Sequence, residues 1–379
     1  MIHLRRRDAL QALALAPMAL AQACKLRRVS EVCVGVLAAR TGERAPWGED
    51  LLRGIELAVD QQNTRGGING RRLRLAALDT ESNDERGAAL VSRLVDREGP
   101  MVIFGELSTT LCERGAGAAQ RRGVVFVSPA STARDVSRVG DMVFRTAATD
   151  AEQVSALARH ARQALQKRRV AVVYRRSSLL HVGMADAFAA AFRAGGGEVA
   201  LRDSYADDAE LVRLVGRVRA SSADVVFAPA SAADAGRIAV ALRQGRVAAQ
   251  VMGGDGWSSP EVRRFAADAV RGALFTDLFT PSSPRPEVEP FIAVFQQRYR
   301  ATPGTFAALG YDAARWVLRA TLRPAQLDAV SLRDALLSQR LDDAVCAPLS
   351  VGARRELRRA VHILRHERDG VALAATELP

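Results

Sequence analysis

Short apolar segments alternate with longer segments of helical periodicity along most of this chain. Residues 30–37 read as a first strand, and residues 48–63 follow with apolar side chains at the spacing of one helix face. The alternation reaches residues 124–127, resumes after Asp150 and continues to residues 305–322. Strands that alternate with helices of this length form right-handed βαβ units with parallel sheets. The two runs therefore predict an α/β protein made of two doubly wound parallel-sheet lobes.

The length and charge of the chain limit its class of function. Its 379 residues are enough for two domains, since a domain has roughly 100–200 residues. The net charge of +12 raises the question of nucleic-acid binding, but the arginines are interleaved with acids, as in Asp84-Glu85-Arg86, and aromatic residues make up only 5%. We therefore expect an arginine-rich, solvated surface and no nucleic-acid partner.

The cysteines are Cys24, Cys33, Cys112 and Cys346. Since no two of them have Cys-x-x-Cys spacing, neither a zinc site nor a thioredoxin-like motif is expected. One disulfide among the last three would be compatible with an oxidising compartment, and free buried thiols are an equal alternative. No cofactor and no metal ion are predicted.

The N-terminal segment predicts export from the cytoplasm. Arg5-Arg6-Arg7 precedes an apolar stretch over residues 9–23, which is shorter than the about 20 residues that a membrane-spanning helix needs. This pattern is typical of a signal peptide, here residues 1–24, with Ala21-Gln22-Ala23 as the cleavage site. Cys24 stands in a degenerate lipobox, so its lipidation is an alternative to simple cleavage, and the arginines leave the Sec and twin-arginine routes open. Each interpretation predicts a periplasmic or extracytoplasmic protein.

Two hydroxyl-rich loops follow predicted strands of the first lobe. One contains Ser108 and Thr109, and the other contains Ala130, Ser131 and Thr132. Parallel sheets bind ligands at the carboxyl ends of their strands, and a helix start leaves backbone N–H groups that stabilise an anion. The two loops together predict a cradle for a carboxylate, although each loop alone fits plain helix capping.

A loop in the second half of the chain places Asp255 between glycines and close to Trp257. A carboxylate at this strand end can pair with a ligand ammonium once the cleft excludes water. The alternative is a turn aspartate that is flanked by glycines for backbone reasons. Trp257 or Trp47 is a candidate for an apolar wall of the site, and either could equally belong to the core.

Several segments together carry a family resemblance. The stretch from Asn63 through Gly66-Gly67-Ile68-Asn69-Gly70 is the most specific, and the others follow in order along nearly the whole mature chain. These others are Trp47-Gly48, Arg53-Gly54-Ile55-Glu56-Leu57-Ala58, Asp79, Ser128-Pro129-Ala130-Ser131-Thr132, Phe144-Arg145-Thr146, Gly254-Asp255-Gly256-Trp257 and Ala308-Leu309-Gly310-Tyr311-Asp312-Ala313. In these segments the chain resembles the branched-chain amino-acid-binding proteins of ABC importers, which are type I periplasmic binding proteins.

The resemblance implies that the two lobes are joined by a three-strand hinge. The chain is expected to cross between the lobes near Ala147, Phe279 and Leu349. The implied lobes are an N-terminal lobe of residues 30–147 plus 279–349 and a C-terminal lobe of residues 148–278 plus 350–379. Beyond the last crossing, residues 361–364 are expected to form a late strand of the second lobe. The basic residues 354–359 are expected to form a solvated segment.

The resemblance also implies roles for the candidate site residues. The loop with Ser108 and Thr109 and the loop over residues 130–132 would bind the α-carboxylate of the ligand. Asp255 would take its α-ammonium, and Trp47 would line the pocket.

Two positions depart from the family pattern. Leu180 stands where the family usually carries a tyrosine, and Ser231 lies between alanines where larger residues are common. The loss of an aromatic wall leaves the ligand open among branched-chain amino acids, other amino acids, amides, urea and aromatic acids.

The implied function is that of a monomeric, non-catalytic solute-binding protein that delivers a small amino-acid-like ligand to the permease of an ABC importer. It would touch the membrane only through a lipid anchor. A ligand-sensing receptor or regulator of the same fold is the alternative. An enzyme is not expected, since the sequence has no Gly-x-Ser-x-Gly, His-Glu-x-x-His or Walker motif. His181 falls in a predicted cleft-facing loop. A contact to the ligand is one interpretation of this position, and we favour the other, a surface histidine.

Overall fold

The computed structural model describes residues 31–322, 328–351, 355 and 357–378. The predicted signal peptide of residues 1–24, with the candidate lipidation site Cys24, lies outside the described residues. Within these ranges, no helix is both long enough and apolar enough to cross a membrane.

A parallel sheet forms the centre of the first lobe. Its strands are β1 (Glu31–Ala38), β2 (Arg72–Asp79), β3 (Val102–Phe104), β4 (Val125–Ser128) and β5 (Val143–Arg145). Its connecting helices are α1 (Ala45–Thr64), α2 (Gly87–Glu98) and α3 (Thr109–Arg121). The strands lie side by side in the order β2-β1-β3-β4-β5, so the direction of winding reverses between β1 and β3. In doubly wound sheets the ligand crevice opens at this reversal, outside the carboxyl ends of the strands.

The second lobe repeats the same arrangement. Its parallel strands are β6 (Arg169–Arg175), β7 (Glu198–Tyr205), β8 (Val225–Phe227), β9 (Gln250–Gly253) and β10 (Leu274–Asp277). Its helices are α4 (Asp150–Gln163), α5 (Leu179–Ala194), α6 (Asp208–Ala220), α7 (Ala232–Gln244) and α8 (Pro260–Ala266). The order β10-β9-β8-β6-β7 reverses between β6 and β8. The predicted α/β class with two doubly wound lobes is confirmed.

After β10 the chain returns to the first lobe, and Leu278 and Phe279 pack in its hydrophobic core. The helices of this part are α9 (Val288–Tyr299), α10 (Thr305–Ala320) and α11 (Ala329–Ser338). A small antiparallel sheet follows with strands β11 (Arg340–Leu341), β12 (Leu349–Val351) and β13 (Leu357–Arg359). The second sheet is completed by β14 (Val361–His366), which pairs antiparallel with β10 and with β15 (Val371–Glu377). Leu349 thus lies in β12, and the chain enters the second sheet at Val361.

The most specific stretch of the sequence forms the end of α1 and the turn into β2. The side-chain amide of Asn63 donates to the carbonyl of Leu73 at 2.9 Å, and its oxygen accepts the N–H of Leu73 at 2.7 Å. Gly66 and Gly67 have φ angles of +98° and +72°, a conformation that favours glycine. The motif therefore fixes the first βαβ crossover rather than the ligand site.

Two glycines of the family pattern allow α1 and α10 to pack closely. A Cβ atom on Gly54 would lie 2.0 Å from the carbonyl oxygen of Ala307, and one on Gly310 would lie 2.4 Å from that of Leu51. Because both approaches involve backbone atoms, a side chain at either position would push the helices apart. This contact holds the returning segment on the first lobe.

The expectation of a solvated basic segment is wrong for Arg359. Its side chain is fully buried, and its guanidinium binds the carboxylate of buried Asp312 and the carbonyl of Thr146. The neighbouring Arg358 is exposed, as expected. A buried guanidinium is tolerated here because an opposite charge and a carbonyl replace its hydration.

Candidate functional site

The two hydroxyl-rich loops of the first lobe lie side by side. β3 and β4 are neighbouring parallel strands, so both loops leave the same edge of the sheet. The hydroxyl oxygens of Thr109 and Ser131 are 3.0 Å apart. Ser108 caps α3, since its side-chain oxygen accepts the N–H of Leu111 at 3.4 Å. The structure therefore shows the helix cap at Ser108 and places the two loops in contact.

The candidate residues of these loops differ in exposure. Ala130 and Ser131 are buried, with 7% and 1% of their surface exposed, while Ser108, Thr109 and Thr132 are half-buried. The first turn of α3 has N–H groups without helical acceptors, as at any helix start. Hydroxyls and helix-terminal N–H groups at one strand edge form an arrangement that can bind a carboxylate.

The hydroxyl of Thr132 contacts the second lobe. It donates to the Asp150 carboxylate at 2.9 Å, and the N–H of Asp150 donates to the carbonyl of Thr132 at 3.3 Å. Asp150 is the first residue of α4. Burial raises the pKa of Asp150 to about 7, and the negative charge of Asp255 adds to this effect. The bond from Thr132 and the charge of Arg145 act in the opposite direction.

Asp255 follows β9 and begins the short 3₁₀ helix Asp255–Ser258. Its side chain is exposed to solvent, yet the protein around the cleft raises its pKa by desolvation, against an opposing hydrogen bond from the N–H of Gly256. A Cβ atom on Gly256 would lie 2.1 Å from the carbonyl oxygen of Ala230. The glycine after Asp255 is therefore required by a close backbone approach, which the turn interpretation anticipated.

Sequence reasoning missed two acidic residues near Asp255. One is Asp150, and the other is Asp277 at the end of β10, whose pKa is raised to about 6 by burial and by the charge of Asp255. The hydroxyl of Thr305, in the first turn of α10, donates to Asp277 at 2.8 Å. Asp277 ends a short apolar segment of the sequence, and this was the available signal, since Asp255 was found at the end of such a segment. Both acids also have hydrogen-bond partners on first-lobe residues, Thr132 and Thr305.

The two candidate tryptophans differ in their exposure to solvent. Trp47 lies in the first turn of α1 with 53% of its surface exposed, and its ring centroid is 6.4 Å from that of Phe306. Trp257 is completely buried and donates its indole N–H to the carbonyl of Ala228 at 2.8 Å. Trp47 is therefore exposed to solvent, whereas Trp257 belongs to the core of the second lobe.

Leu180 and Ser231 lie on either side of the winding reversal in the second sheet. Leu180 follows β6 and is 55% exposed, next to Leu179 at 86%. Ser231 is exposed and caps α7 by accepting the N–H of Asp234 at 3.4 Å. Since β6, β8 and β9 are adjacent and parallel, the loops with Leu180, Ser231 and Asp255 leave one edge of the sheet.

The interpretation of His181 as a surface histidine is wrong. It lies in the first turn of α5 and is buried, with 8% of its surface exposed, and burial lowers its pKa. Arg175 and Asp234 form a bidentate ion pair beside it, with N–O distances of 2.7 and 2.8 Å. Since Arg175 ends β6 and Asp234 lies in the first turn of α7, the ion pair links these two elements.

The cysteines of the described chain form no disulfide. Cys33, Cys112 and Cys346 are free and buried. Burial raises the pKa of the Cys112 thiol to about 12, so it is protonated and able to donate a hydrogen bond.

Comparisons with known proteins agree with this architecture. A family model described as "Periplasmic binding protein" matches residues 31–370. The Leu/Ile/Val-binding protein BraC3 of Rhizobium johnstonii is 28% identical over 250 residues, which cover 65% of this chain and 68% of that protein. The crystal structure of the leucine-binding protein LivK of Thermotoga maritima has a TM-score of 0.77 at 25% identity, with 92% of this chain and 99% of that chain covered.

A more distant solved structure has the same fold. A solute-binding protein of an ABC transporter from R. palustris, solved with benzoate, has a TM-score of 0.73 at 20% identity and covers 92% of this chain and 97% of its own. The family match over most of the chain, and the two doubly wound lobes, confirm the resemblance found in the sequence. This chain belongs to the periplasmic binding proteins, in the type I fold of the branched-chain amino-acid-binding relatives.

Proposed function

We propose that the protein captures a small zwitterionic, amino-acid-like ligand between its lobes and delivers it to the permease of an ABC importer. The observation that carries this proposal is the chemical asymmetry of the two edges. Hydroxyls and helix-start N–H groups meet at Thr109 and Ser131 on the first lobe, whereas Asp255 stands at the edge of the second. A ligand with a carboxylate at one end and an ammonium at the other complements both edges.

The ligand carboxylate binds first to the first lobe. Thr109 and the loop over residues 130–132 supply its hydrogen bonds, with Ser108 as the cap that orders the start of α3. Burial of a carboxylate is costly without such partners, so these loops favour ligands that carry one. Trp47 covers the apolar part of the ligand from the same lobe.

Closure then brings Asp255 onto the ligand ammonium. Asp150 lies within the electrostatic reach of Asp255, so two carboxylates are available near the cationic end. Pairing a charge in a cleft that excludes water is far stronger than in solvent. Leu180 and Ser231 form the second-lobe wall, and without a tyrosine that wall accepts a bulky apolar side chain.

The two moving bodies predicted from the sequence are residues 30–147 with 279–349 and residues 148–278 with 350–379. Because β12 and β13 form a sheet with β11, and the chain joins the second sheet only at β14, we place the last boundary between the two bodies at Val361 rather than at Leu349. The segments between them support this division: β5 ends at Arg145 before α4 begins at Asp150, and β10 ends at Asp277 before Leu278 joins the first core. Short connections of this kind act as hinges because a few residues absorb the rotation.

The cellular setting follows from the leader. We propose that the signal peptide of residues 1–24 directs a monomeric protein to the periplasm by the Sec or the twin-arginine route. Lipidation of Cys24 would tether it to the membrane. Mass spectrometry of the mature protein distinguishes a free N-terminus from a lipidated cysteine.

The ligand class is tested by thermal shift and calorimetry on the mature protein. We expect L-leucine, L-isoleucine or L-valine to raise the melting temperature, since a ligand that binds only the folded state stabilises it. L-leucinamide and benzoate serve as matched probes that lack the carboxylate and the ammonium, respectively. A panel in which benzoate binds and no amino acid does would overturn the zwitterion proposal.

A further inference from the structure

A buried chain of hydrogen bonds lies behind the two first-lobe loops. It begins at Glu106, passes through Cys112 and Ser128, and ends at Ser131. Glu106, Cys112 and Ser128 are fully buried, so these bonds are made without competition from solvent. The sequence motifs predict no ligand contact for any of these three side chains.

The carboxylate of Glu106 orders the start of α3. One of its oxygens accepts the backbone N–H of Ser108 at 2.7 Å. The other accepts the hydroxyl of Thr80 at 3.0 Å and the guanidinium of Arg44 at 3.3 Å. Arg44 immediately precedes α1, the helix that carries Trp47. Glu106 therefore links the carboxylate loop with the helix that presents the pocket aromatic.

The thiol of Cys112 links the first loop with the second. It donates to the carbonyl oxygen of Glu106 at 2.9 Å and accepts the hydroxyl of Ser128 at 3.6 Å. The same Ser128 oxygen accepts the N–H of Ser131 at 3.3 Å. Every donor in this chain has an acceptor, so the two loops are held in one register.

We propose that Glu106 and Cys112 form a positioning brace that sets the separation of the two loops and thereby the affinity for the ligand carboxylate. Neither side chain touches the ligand. Their effect reaches it through Ser108 and through Ser131, whose hydroxyl contacts Thr109. A shift of either loop changes the geometry of the carboxylate hydrogen bonds, which weaken steeply with distance and angle. The inference rests on the proposed function, since it assumes that these loops hold a carboxylate.

The test compares L-leucine with L-leucinamide by calorimetry on the mature protein and its variants. We expect Cys112→Ala and Glu106→Ala to weaken leucine binding by about tenfold or more, the loss typical of one misplaced charged hydrogen bond. Leucinamide has no carboxylate, so its affinity is expected to fall much less. Cys112→Ser keeps a donor and an acceptor at the same place, and we expect it to restore most of the leucine affinity. Glu106→Gln keeps one oxygen for the N–H of Ser108, but its amide nitrogen cannot accept from Arg44, so we expect it to restore the affinity only in part.

Cys346→Ala is the matched control. It also removes a buried thiol from the first lobe, but Cys346 lies outside the loops and their hydrogen bonds. We expect this variant to lose stability without changing the ratio of leucine to leucinamide affinity. Equal ratios for Cys112→Ala, Cys346→Ala and the unmodified protein would overturn the brace.

A second measurement separates failure of the brace from failure of the proposed function. If the unmodified protein binds no amino acid, the proposed function fails. Amide hydrogen exchange of the ligand-free protein still tests whether Glu106 and Cys112 hold the two loops in place. We expect faster exchange at Ser108 in Glu106→Ala and at Ser131 in Cys112→Ala, and unchanged exchange at both amides in Cys346→Ala. Unchanged exchange in the first two variants would refute the brace whatever the ligand.

Discussion

Asp312 on α10 and Arg359 on β13 form an ion pair whose two side chains are both inaccessible to solvent. Arg359 also donates to the carbonyl of Thr146, between β5 and α4, at 2.8 Å. Asp312 accepts the backbone N–H groups of Val345 and Cys346 at 2.8 and 3.0 Å. The pair therefore ties together segments that are distant in sequence: β13, α10 and the connection between β5 and α4.

We expect Arg359→Met to lower the free energy of unfolding by about 3–5 kcal/mol, because it leaves the Asp312 carboxylate buried without its counter-charge. Urea denaturation measures the change. Arg358→Met is the matched control, since Arg358 is the neighbouring residue on the same strand and is exposed. Similar losses in the two variants would show that the buried pair has no special importance.

Asp255→Ala is expected to weaken binding of an amino-acid ligand by about 2–5 kcal/mol, the cost of removing one partner of a desolvated charge pair. Calorimetry at fixed pH gives the difference directly. Asp268→Ala removes an exposed carboxylate from the same lobe and is expected to leave the affinity unchanged. An unaltered affinity in Asp255→Ala would remove Asp255 from the site.

The Asp150 carboxyl predicts a dependence of binding on pH. Its pKa is raised from 3.8 to about 7, so the ligand-free protein retains a proton there that the unfolded chain has lost. Protonation of Asp150 therefore stabilises the folded protein relative to the unfolded chain. This contribution to the free energy of unfolding is complete below pH 3.8 and disappears as the pH rises through 7. An ammonium favours the ionised carboxylate, so we expect ligand affinity to increase as the pH rises through this same range.

Calorimetry between pH 5.5 and 8.5 tests this effect, since the ammonium of an amino acid stays protonated over most of that interval. The expected rise approaches tenfold per pH unit below the pKa when one proton is released on binding. Asp150→Asn is expected to flatten the profile. A profile of Asp150→Asn that still rises like that of the unmodified protein would place the titrating group elsewhere.

Gly256→Ala is expected to disturb both stability and binding. Its Cβ atom would lie 2.1 Å from the carbonyl oxygen of Ala230, so the loop with Asp255 must move away from the loop with Ser231. We expect lower ligand affinity together with a lower melting temperature. The control is Gly216→Ala on the exposed face of α6, where an added Cβ meets nothing within 4 Å. That substitution should stabilise the helix by about 1 kcal/mol.

Most residues of the family motifs have a structural role in the fold and not a role in binding the ligand. Asn63 closes the first crossover by pairing with Leu73, and Gly54 and Gly310 allow two helices to touch. Asp79 accepts the N–H of Arg40 and the hydroxyl of Thr41, which holds the loop after β1. Such residues identify the fold strongly because backbone geometry depends on them, and they say little about the ligand.

The alternation of apolar and helical segments was sufficient to predict the α/β class, the two lobes and the loops with Thr109, Ser131 and Asp255. These features follow from periodicity and chain order, which any sequence displays directly. Only the tertiary structure decided that Arg359 and His181 are buried, that Trp47 rather than Trp257 is exposed, and that Asp150 lies near Asp255. Burial and charge proximity depend on which distant segments pack together, and local sequence patterns do not contain that information.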